Sequence, residues 1–501
     1  MTPKFSTISS VPDFYRGANI LITGSTGFLG LVLVEKLLSS CPDLNKIYAI
    51  VRPKRGKSVQ ERKIIFSESE LFVNLLAKNP QILDKLELIE GDMSLPRLGL
   101  SDTDWEKLKC VSIFFHSAAS VRFDEPLKEA ILGHVRGTRE LLELASSCKN
   151  IKAFVHVSTA YCNMHNGSLE EIKELRVQEK LYPDIDDWKN VIKLAENLDK
   201  ELLQHLTQHF TKFSLNNYLY TKALSENVSK AYQDKIPIVM YRPSIVIAKA
   251  IGPMRGWINN LNGPYGISVA VLLGLCRVVY GNPSVAWDVV PVDVTINGMI
   301  ISAAKRHLVD DTTVVYNCSF EKTSSLDVIN SSKYFAHLLP FSDMIWCQSV
   351  DITQCKVNYR LKCILLHLLP AYLIDTFLVF SGKKPRLQKV QRKIKAAMEA
   401  IHYFITHTFE ICNFNYMNLS NFVNDADKKT FDIRIMEEKK NRPDFNKNAI
   451  VHIRKYLLKD PDETLPAARK KFQRIKFADK TIKAAFWSAC VYFYCMWLAN
   501  L

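Results

Sequence analysis

A tyrosine and a lysine four residues apart are the pair in this chain best suited to chemistry. Tyr218 and Lys222 stand in the sequence YLYTK, within a segment of helical periodicity. This spacing places both side chains on one helix face, where the ammonium is expected to lower the pKa of the phenol. Such a phenol can exchange a proton with a carbonyl oxygen while hydride moves at the carbon. The pair therefore indicates hydride-transfer chemistry, and an exposed helical pair without a catalytic role is the plainer alternative.

The same chemistry calls for a third hydroxyl group. Of the 19 tyrosines, only Tyr218 is followed by a lysine four residues on, and Lys222 could also hold the ribose of a nicotinamide cofactor. The sequence VSTAY ends a predicted strand and supplies two hydroxyl candidates. Thr159 is preferred because the residue that leaves the strand points towards the cofactor edge, and Ser158 is the alternative.

A glycine-rich turn, GSTGFLG at residues 24–30, joins a predicted strand to a predicted helix. Glycine allows the tight turn, the close approach of the backbone to a pyrophosphate, and close packing of the helix on the sheet. The amino end of the helix then offers free N–H groups and a positive dipole end to phosphates. This placement, between a strand and a helix, predicts a dinucleotide site.

The end of the second predicted strand indicates which dinucleotide is bound. An acidic residue there would bind the ribose of NAD, but the chain reads VRPKR and has no acid. Arg52 lies where the 2′-hydroxyl of NAD or the 2′-phosphate of NADP would sit. The cationic cluster of Arg52, Lys54 and Arg55 favours NADP, and a solvated basic loop is the alternative.

These residues need a sheet to position them. Short apolar runs alternate with helical patterns such as LVLVEKLLSS and residues 125–147, which predicts a parallel, doubly wound sheet with helices on both faces. A long polar insertion at 166–213 is expected to cap a site. The strand pattern fades beyond about residue 345. The predicted strands are 19–24, 46–52, 86–92, 112–118, 153–159 and 236–247.

Composition limits the class of protein. The chain has 501 residues, 48% of them hydrophobic and 23% charged, which excludes a disordered chain and a transporter with many spans. The 12 cysteines show no spacing typical of zinc ligands, so no metal site is predicted, and buried free thiols are expected. The amino-terminal sequence has no apolar core of a signal peptide. A net charge of +15 suits a phosphorylated ligand, an anionic membrane or nucleic acid.

Two apolar segments follow the predicted sheet. Residues 484–501 carry no charge and follow three lysines, which predicts a transmembrane tail anchor with the catalytic part in the cytosol. Residues 363–380 contain His367, Pro370 and Asp375, so we expect an interfacial or buried helix pair, and a span stays open. The basic run at 383–395 suits an anionic leaflet. Nucleic-acid binding is not expected, because no basic and aromatic module accompanies the charge.

Several longer motifs carry a resemblance to a known family. ILITGSTGFLG, FFHSAASVRFDEPL, HVSTAYC, YLYTKALSE and YRPSIVIA resemble the extended short-chain dehydrogenase/reductase superfamily. SVPDFYRG, GWINNLNGPYG, VVPVDVTIN and LLHLLPAYLIDTFLVFSGKKPRL narrow the resemblance to the fatty acyl-CoA reductases, over nearly the whole chain. The resemblance implies a Rossmann-like α/β fold, a doubly wound parallel sheet, with a helical C-terminal domain and a C-terminal membrane helix.

The resemblance also implies a reaction and its residues. NADPH would reduce a long-chain fatty acyl-CoA to a bound aldehyde, with loss of CoA, and then to the primary alcohol. Tyr218, Lys222 and Thr159 match the catalytic set, with Ser158 as the alternative hydroxyl. The residues matched to cofactor binding are Gly24, Thr26, Gly27, Phe28, Leu29, Gly30, Arg52, Asp92, Met93, Ala118, Ala119, Tyr218, Lys222, Pro243 and Ser244.

The resemblance divides the chain and leaves two other functions open. We expect a reductase domain at 1–345, apolar linker helices at 346–382, a helical domain at 383–483 and the anchor at 484–501. The alternatives are a dehydrogenase of a sterol or another alcohol, and a non-catalytic membrane scaffold that binds nucleotide. The endoplasmic reticulum is the favoured location, with the peroxisome as the alternative.

Overall fold

The chain forms two compact units. The computed structural model describes residues 10–53, 58–163, 176–210, 214–308, 313–434 and 445–499. Unit 1 comprises Met1–Trp257, Asp288–Lys322 and Phe409–Pro443, and unit 2 comprises Ile258–Trp287, Thr323–Thr408 and Asp444–Leu501. The chain therefore leaves unit 1 and returns to it twice. The domain boundaries expected from the sequence stay a prediction.

Unit 1 is built around a seven-stranded sheet in the order β11-β7-β5-β4-β1-β2-β3. Its neighbouring strands pair in parallel, as in the register Ile20 with Ile47 and Ile20 with Ile113. This order confirms the predicted doubly wound, Rossmann-like fold. The strands are β1 (Asn19–Thr23), β2 (Lys46–Val51), β3 (Leu86–Glu90), β4 (Ile113–His116), β5 (Ala153–Val157), β7 (Ile238–Pro243) and β11 (Thr313–Cys318).

The central strands are buried on both faces, as the continuous apolar runs in their sequences predict. Every residue of β4, β5 and β7 is buried. Two apolar clusters pack on opposite faces of β1, because Ile20 and Ile22 belong to one cluster and Leu21 to the other. This alternation fixes the register of the strand, and with it the position of the turn that follows.

Helices cover the sheet of unit 1. The helix predicted at 125–147 is interrupted by a π-helical segment, Ile131–Arg136. The α-helices are Val11–Tyr15, Phe28–Ser40, Ile64–Ser67, Val73–Lys78, Asp102–Leu108, Leu127–Ala130, Gly137–Ser146, Trp188–Asn197, Lys200–His205, Thr207–Phe210, Asn217–Lys230, Val292–Arg306, Phe414–Met417 and Asp425–Lys428.

The predicted strand at 236–247 is two strands in the structure. It divides at Ser244, whose backbone N–H donates to the carbonyl oxygen of Cys318 in β11 at 2.9 Å. Beyond this point the chain changes sheets, and β8 (Ile245–Ile247) pairs with β10 (Ala286–Pro291). A single apolar run cannot show such a change, because both halves are apolar. β8 and β10 form a small sheet with β12 (Glu321–Ser324), and β6 (Arg176–Val177) pairs with β14 (Glu410–Ile411).

The described part of unit 2 is mainly helical, and it contains a pair of short strands, β9 (Val278–Tyr280) and β13 (Asp351–Thr353). Among the described residues, two helices are long and apolar enough to cross a membrane, Lys356–Phe380 and Asp462–Ala499. The first contains a π-helical segment, Ile364–Leu368. The α-helices are Pro264–Leu272, Ser325–Leu338, Lys356–Cys363, Leu369–Phe380, Leu387–Ile401, Phe445–His452 and Leu465–Ala499.

Candidate active site

The glycine turn that follows β1 cannot carry side chains at its key positions. Gly24 has a φ of +73°, and a Cβ atom there would lie 2.9 Å from the backbone nitrogen of Ala118. A Cβ atom on Gly30 would lie 2.2 Å from the carbonyl oxygen of Gly24. The first glycine therefore permits the turn against the end of β4, and the last permits close packing of the helix on the turn.

The helix Phe28–Ser40 directs its amino end at this turn. Its N-cap is Gly27, which makes no side-chain capping hydrogen bond. Ser25 is 1% exposed, and its hydroxyl has no hydrogen-bond partner in the described structure. Such a hydroxyl, beside uncapped helix amides, fits a phosphate oxygen. The turn at 24–30 thus fits a dinucleotide pyrophosphate, and we call it the phosphate cradle.

Aromatic packing fixes the start of this helix. The Phe28 ring stacks on the Trp257 ring, with centroids 5.7 Å apart and planes at 17°. Trp257 is buried, and it belongs to the GWINN motif singled out in the sequence. The motif therefore supports the cofactor turn from outside it. Leu29, the next residue of the helix, is partly buried against the same apolar cluster.

An arginine that the sequence analysis did not single out joins the turn to the end of β2. Arg62 donates from Nη2 to Thr26 Oγ1 at 3.2 Å and from Nη1 to the carbonyl oxygen of Arg52. Burial, and then the charge of Arg52, lower the pKa of Arg62. Two guanidinium groups that repel each other beside a phosphate cradle are suited to an anion. No spacing rule connects Arg62 to the glycine turn, so the sequence offered no signal.

The residues predicted at the ends of β2 and β3 lie together. Arg52 Nη1 lies 3.9 Å from Asp92 Oδ2, and the Arg52 side chain is largely exposed. Asp92 also accepts from the backbone N–H and the hydroxyl of Ser94 at 2.8 and 2.7 Å. Met93 packs so closely that a Cβ atom on Gly137 would lie 2.6 Å from its carbonyl oxygen. Lys54 and Arg55 lie outside the described residues.

The end of β4 forms the next wall. The Ala118 backbone N–H donates to Thr23 Oγ1 at 3.1 Å, which ties this wall to the end of β1. Ala119 is half-buried, and Ser120 follows it. Since β1 and β4 are neighbours at the point where the strand order reverses, this is the crevice in which such sheets bind ligands.

Lys222 is directed at the end of β5. Its ammonium donates to the carbonyl oxygen of Val157 at 2.7 Å, in a buried position. Burial lowers the pKa of Lys222 to about 8, with the charges of Cys162 and Glu226 opposing this shift.

The expected lowering of the Tyr218 pKa is wrong for this structure. Burial, and then Cys162, raise the pKa of the phenol, because its desolvation outweighs any effect of the ammonium, which is bonded to Val157. Within the described structure, the Tyr218 hydroxyl makes no hydrogen bond. Its ring contacts the rings of Phe123 and His134, with centroids 5.9 and 6.0 Å apart. Tyr218 is therefore held as a protonated phenol.

The two candidate hydroxyls after β5 have different surroundings. The Ser158 hydroxyl lies 3.4 Å from Cys162 Sγ, and it also hydrogen-bonds to the buried Glu226 carboxylate. Thr159 Oγ1 accepts a long bond of 3.4 Å from the backbone N–H of Tyr161. The Ser158 hydroxyl is thus used in hydrogen bonds inside the protein, whereas the Thr159 hydroxyl can donate a hydrogen bond to another acceptor.

A buried ion pair lies behind Ser158. Arg242 donates to both carboxylate oxygens of Glu226, at 2.8 and 2.7 Å. Burial alone would raise the pKa of Glu226, but the charge and hydrogen bonds of Arg242 outweigh it and the pKa is lowered. Since Glu226 lies one helical turn beyond Lys222, this pair anchors the helix Asn217–Lys230 to β7.

The loop after β7 is the last predicted part of the site. The carbonyl oxygen of Pro243 accepts the backbone N–H of Ala160 at 2.9 Å, which joins the ends of β5 and β7. The Ser244 hydroxyl is buried and without a partner among the described residues. The predicted positions that the structure describes therefore lie in unit 1, at the carboxyl edge of the sheet or on the helix Asn217–Lys230.

His134 is a second residue that the sequence analysis missed. Its Nε2 accepts the backbone N–H of Ser120 at 2.9 Å, so its Nδ1 carries the proton and donates to Thr221 Oγ1 at 2.8 Å. Burial, and then the charge of Lys222, lower the pKa of His134 to about 3. This neutral ring connects the end of β4 to the helix that carries Tyr218. In the sequence GHVRG it has no signal that distinguishes it from a core histidine.

Comparison with known proteins gives the same architecture. Residues 22–299 match an NAD-binding family model described as male sterility protein, and residues 366–460 match a second model with the same description. Fatty acyl-CoA reductase 1 of Homo sapiens is 35% identical, covering 94% of this chain and 92% of that protein. Fatty acyl-CoA reductase wat of Drosophila melanogaster is 33% identical, covering 96% of this chain and 93% of that protein.

Solved structures share the fold. The terminal R domain of the myxalamid biosynthetic pathway aligns with a TM-score of 0.54 at 16% identity, covering 84% of this chain and 90% of that domain. A thiolation-reductase di-domain of an archaeal non-ribosomal peptide synthetase aligns with a TM-score of 0.50 at 18% identity, covering 86% and 78%. At this level of identity, the likeness concerns the fold alone.

Proposed function

Because this oxidoreductase belongs to the fatty acyl-CoA reductase family, we propose that it reduces a long-chain fatty acyl-CoA with NADPH to the primary alcohol. The relatives support fatty acyl reduction in general, and the chain length, the cofactor and the alcohol product are our proposals. The observation that carries them is the arrangement at the sheet edge, where a phosphate cradle, a buried ammonium and a protonated phenol lie on adjoining elements.

The choice of NADPH rests on the cationic pair beside the cradle. In our proposal, Arg52 and Arg62 bind the 2′-phosphate, and Asp92 and Met93 border the adenine. Lys222 holds the nicotinamide ribose. NADPH, when bound, supplies the hydride for each of the two reductions. The buried hydroxyl of Ser25 has no partner in the described structure, and a phosphate oxygen would supply one. In a turn without a ligand, this hydroxyl would stay unpaired, at a cost in free energy.

The protein's own residues then handle the oxygen and its proton. In the first reduction, the thioester carbonyl becomes an oxyanion, which the hydroxyls of Tyr218 and Thr159 stabilise by donating hydrogen bonds. The carbon–sulfur bond breaks, CoA leaves as a thiolate, and the aldehyde remains. In the second reduction, the aldehyde oxygen takes the Tyr218 proton and the alcohol forms. Because burial raises the pKa of Tyr218, the phenol is protonated, as a reduction requires.

Lipid analysis tests the proposed reaction. The chain is expressed with long-chain acyl-CoA substrates of several lengths and NADPH, and fatty alcohol and aldehyde are quantified. Tyr218→Phe is expected to lower alcohol formation by about 10²–10⁴-fold. Tyr220→Phe is the matched control, because its phenol donates instead to Asp186 at 2.9 Å. Absence of alcohol and aldehyde above the Tyr218→Phe background at every chain length would refute the proposal.

The same proposal includes a place in the cell. The helix Asp462–Ala499 is long and apolar enough to span a bilayer, and its residues 480–499 are all exposed. We propose that the tail anchors the protein with its catalytic part in the cytosol, at the endoplasmic reticulum rather than the peroxisome. Truncation at Lys483 should make the protein extractable from membranes with alkaline carbonate, whereas the full chain should resist this treatment. A truncated chain that also resists it would place the anchor elsewhere.

A further inference from the structure

The helix Lys356–Phe380 presents a long apolar stripe to solvent. Its exposed large side chains extend over about six turns and cover most of its circumference, apart from a narrow face formed by its buried residues. Phe377 is 71% exposed and Phe380 is 87% exposed, which is unusual for such rings in a soluble protein. The stripe consists of Val357, Leu361, Ile364, Leu365, Leu368, Leu369, Tyr372, Leu373, Ile374, Phe377, Val379 and Phe380.

The opposite face of this helix is fixed to unit 2 by its polar residues. His367, Ala371 and Asp375 are buried and follow each other at intervals of four residues. His367 Nε2 accepts the backbone N–H of Arg277 at 2.8 Å. Asp375 accepts three backbone N–H groups at 2.8–2.9 Å, at the amino end of the helix Leu387–Ile401. The two polar residues that made a span unfavourable in the sequence therefore both accept hydrogen bonds from the backbone of the protein.

These bonds are incompatible with a helix that crosses a bilayer. A span would place His367 and Asp375 near the middle of the hydrocarbon, together with the backbone groups that they bind. Arg277 and Arg386 would then enter the membrane with them, at a cost of several kcal/mol for each charge. The helix can keep its bonds to unit 2 and still contact lipid only if it lies along the surface of the membrane.

Arg277 also connects this helix to the tail helix. Its guanidinium lies 3.7 Å from the Asp479 carboxylate, which accepts the Trp346 indole N–H at 2.8 Å and pairs with Lys483 at 2.6 Å. Asp479 precedes the exposed apolar end of the tail helix by five residues. One residue of unit 2 therefore contacts both helices, which fixes the place where the tail leaves the protein relative to the stripe.

Basic residues flank the stripe at both ends. Lys356 and Arg360 lie in its first turns, and Lys383 and Lys384 follow its last residue. All four are exposed, and in the described structure none of them has a carboxylate partner. Each such charge near an anionic leaflet contributes roughly 1 kcal/mol. Apolar side chains between basic ends are complementary to the acyl and headgroup layers of an anionic membrane.

We propose that the helix Lys356–Phe380 lies along one leaflet of an anionic phospholipid bilayer, with its stripe among the acyl chains and its basic ends at the headgroups. The tail enters the same leaflet, and this last part rests on the proposed tail anchor. Contact at two points, joined through Arg277, orients unit 2 on the membrane.

Thiol labelling of the full chain tests this orientation. The protein is added to preformed vesicles of phosphatidylcholine with about one-third phosphatidylserine. A membrane-impermeant maleimide is then added outside, and mass spectrometry resolves each cysteine. Phe377→Cys reports on the stripe and Lys384→Cys on the far end of the helix. Native Cys355 reports on its near end, Cys490 and Cys495 report on the tail, and Leu326→Cys is an exposed control on unit 2.

The proposal predicts that the thiol at position 377 loses its labelling in vesicles and regains it in denaturant, while positions 355, 384 and 326 are labelled from outside. Labelling at 377 equal to that at 326 would overturn the proposal. Protection of position 384 until the vesicles are permeabilised would show a span and overturn it too. If protection at position 377 disappears at a high lipid-to-protein ratio, the stripe is covered by a second copy of the chain and not by lipid.

Two further comparisons separate the parts of the proposal. Vesicles without phosphatidylserine should give more labelling at position 377, and equal labelling would remove the role of the basic ends. Cys490 and Cys495 should also be protected from labelling. If these two cysteines are labelled while position 377 stays protected, the tail anchor is refuted and the placement of the helix Lys356–Phe380 is not. Since no readout is enzymatic, failure of the proposed reaction is distinguishable from failure of this inference.

Discussion

The ammonium of Lys222 donates a 2.7 Å hydrogen bond to the carbonyl oxygen of Val157, the last residue of β5. The bond holds the helix Asn217–Lys230 against the strand end from which Thr159 projects. The ammonium is also buried, and its pKa is lowered from its ordinary value of 10.5 to about 8. The proposed site therefore contains a cation that can lose its charge just above neutral pH.

We predict that kcat/KM for acyl reduction falls as the pH rises through about 8, because Lys222 loses its charge. Between that pH and the ordinary lysine pKa, Lys222 carries a proton in the unfolded chain but not in the folded one. As the pH rises through this window, the contribution of Lys222 to the free energy of unfolding therefore increases. Loss of activity in that window is then not loss of the fold. The pH profiles of kcat/KM and of the melting temperature, measured together, check this.

Lys222→Arg is the control, because a guanidinium keeps its charge throughout this range. The variant should be slower, yet its kcat/KM should show no decline near pH 8. The same decline in wild type and variant would assign the titration to another group.

Thr159 and Ser158 can be separated by paired substitutions. Thr159→Val removes a proposed oxyanion donor, so kcat should fall by roughly 10²–10³-fold, and Thr159→Ser should restore most of it. Ser158→Ala should mainly lower the melting temperature, since its hydroxyl bonds to the interior. A larger loss of kcat in Ser158→Ala than in Thr159→Val would reverse the assignment.

The sequence predicted the parts of the site that depend on local chain geometry. Glycine indicates the turn by its backbone conformation, and the periodicity of apolar residues indicates the strands and helices. The fold confirms the strand ends and the helix that carries Tyr218 and Lys222. The role of Arg62 arises from a loop that packs back on the turn, 36 residues from Thr26. The direction of the Tyr218 pKa shift depends on desolvation, which a spacing rule omits.

The sequence also did not show which segments belong to which unit. Phe409–Pro443 follows a helical stretch, yet it belongs to unit 1, where β14 pairs with β6. A two-residue strand has no detectable periodicity. For Lys356–Phe380, the sequence favoured an interfacial or buried helix because His367 and Asp375 are costly in lipid. The structure adds that these two residues share one buried face, which mean hydropathy does not reveal.

Arg62 should discriminate between the two nicotinamide cofactors. Arg62→Gln removes a charge-assisted bond to the proposed 2′-phosphate, so the KM for NADPH should rise about 10–100-fold and that for NADH should change little. Arg52→Glu should have the same selective effect. Lys63→Gln, the adjacent basic residue, is the matched control. Equal changes in both KM values would show that neither arginine contacts the 2′-phosphate.

His134 should act by positioning Tyr218. His134→Phe keeps a ring against Tyr218 but removes the bonds to Ser120 and Thr221, so kcat should fall about 100-fold. The kinetic isotope effect with deuterated NADPH should increase, because hydride transfer becomes slower relative to the other steps. The pH profile should keep its shape, since the pKa of His134 is about 3 and its ring is neutral throughout.

The control is His156→Met, because neither ring nitrogen of that buried histidine has a partner among the described residues. A fall in melting temperature for His134→Phe with an unchanged kcat and isotope effect would show that the residue is merely structural.

The ion pair behind the site should govern stability. Glu226→Gln leaves the fully buried Arg242 guanidinium without its counter-charge, so the free energy of unfolding should fall by about 3–5 kcal/mol. Glu129→Gln is the control, since its pair with Lys200 at 2.7 Å is exposed and should contribute no more than about 1 kcal/mol. Adding Arg242→Met to Glu226→Gln should recover part of the loss, because the unpaired charge is then gone. Denaturant titration measures all three variants, and a loss in Glu226→Gln no larger than in Glu129→Gln would mean that water reaches the buried guanidinium.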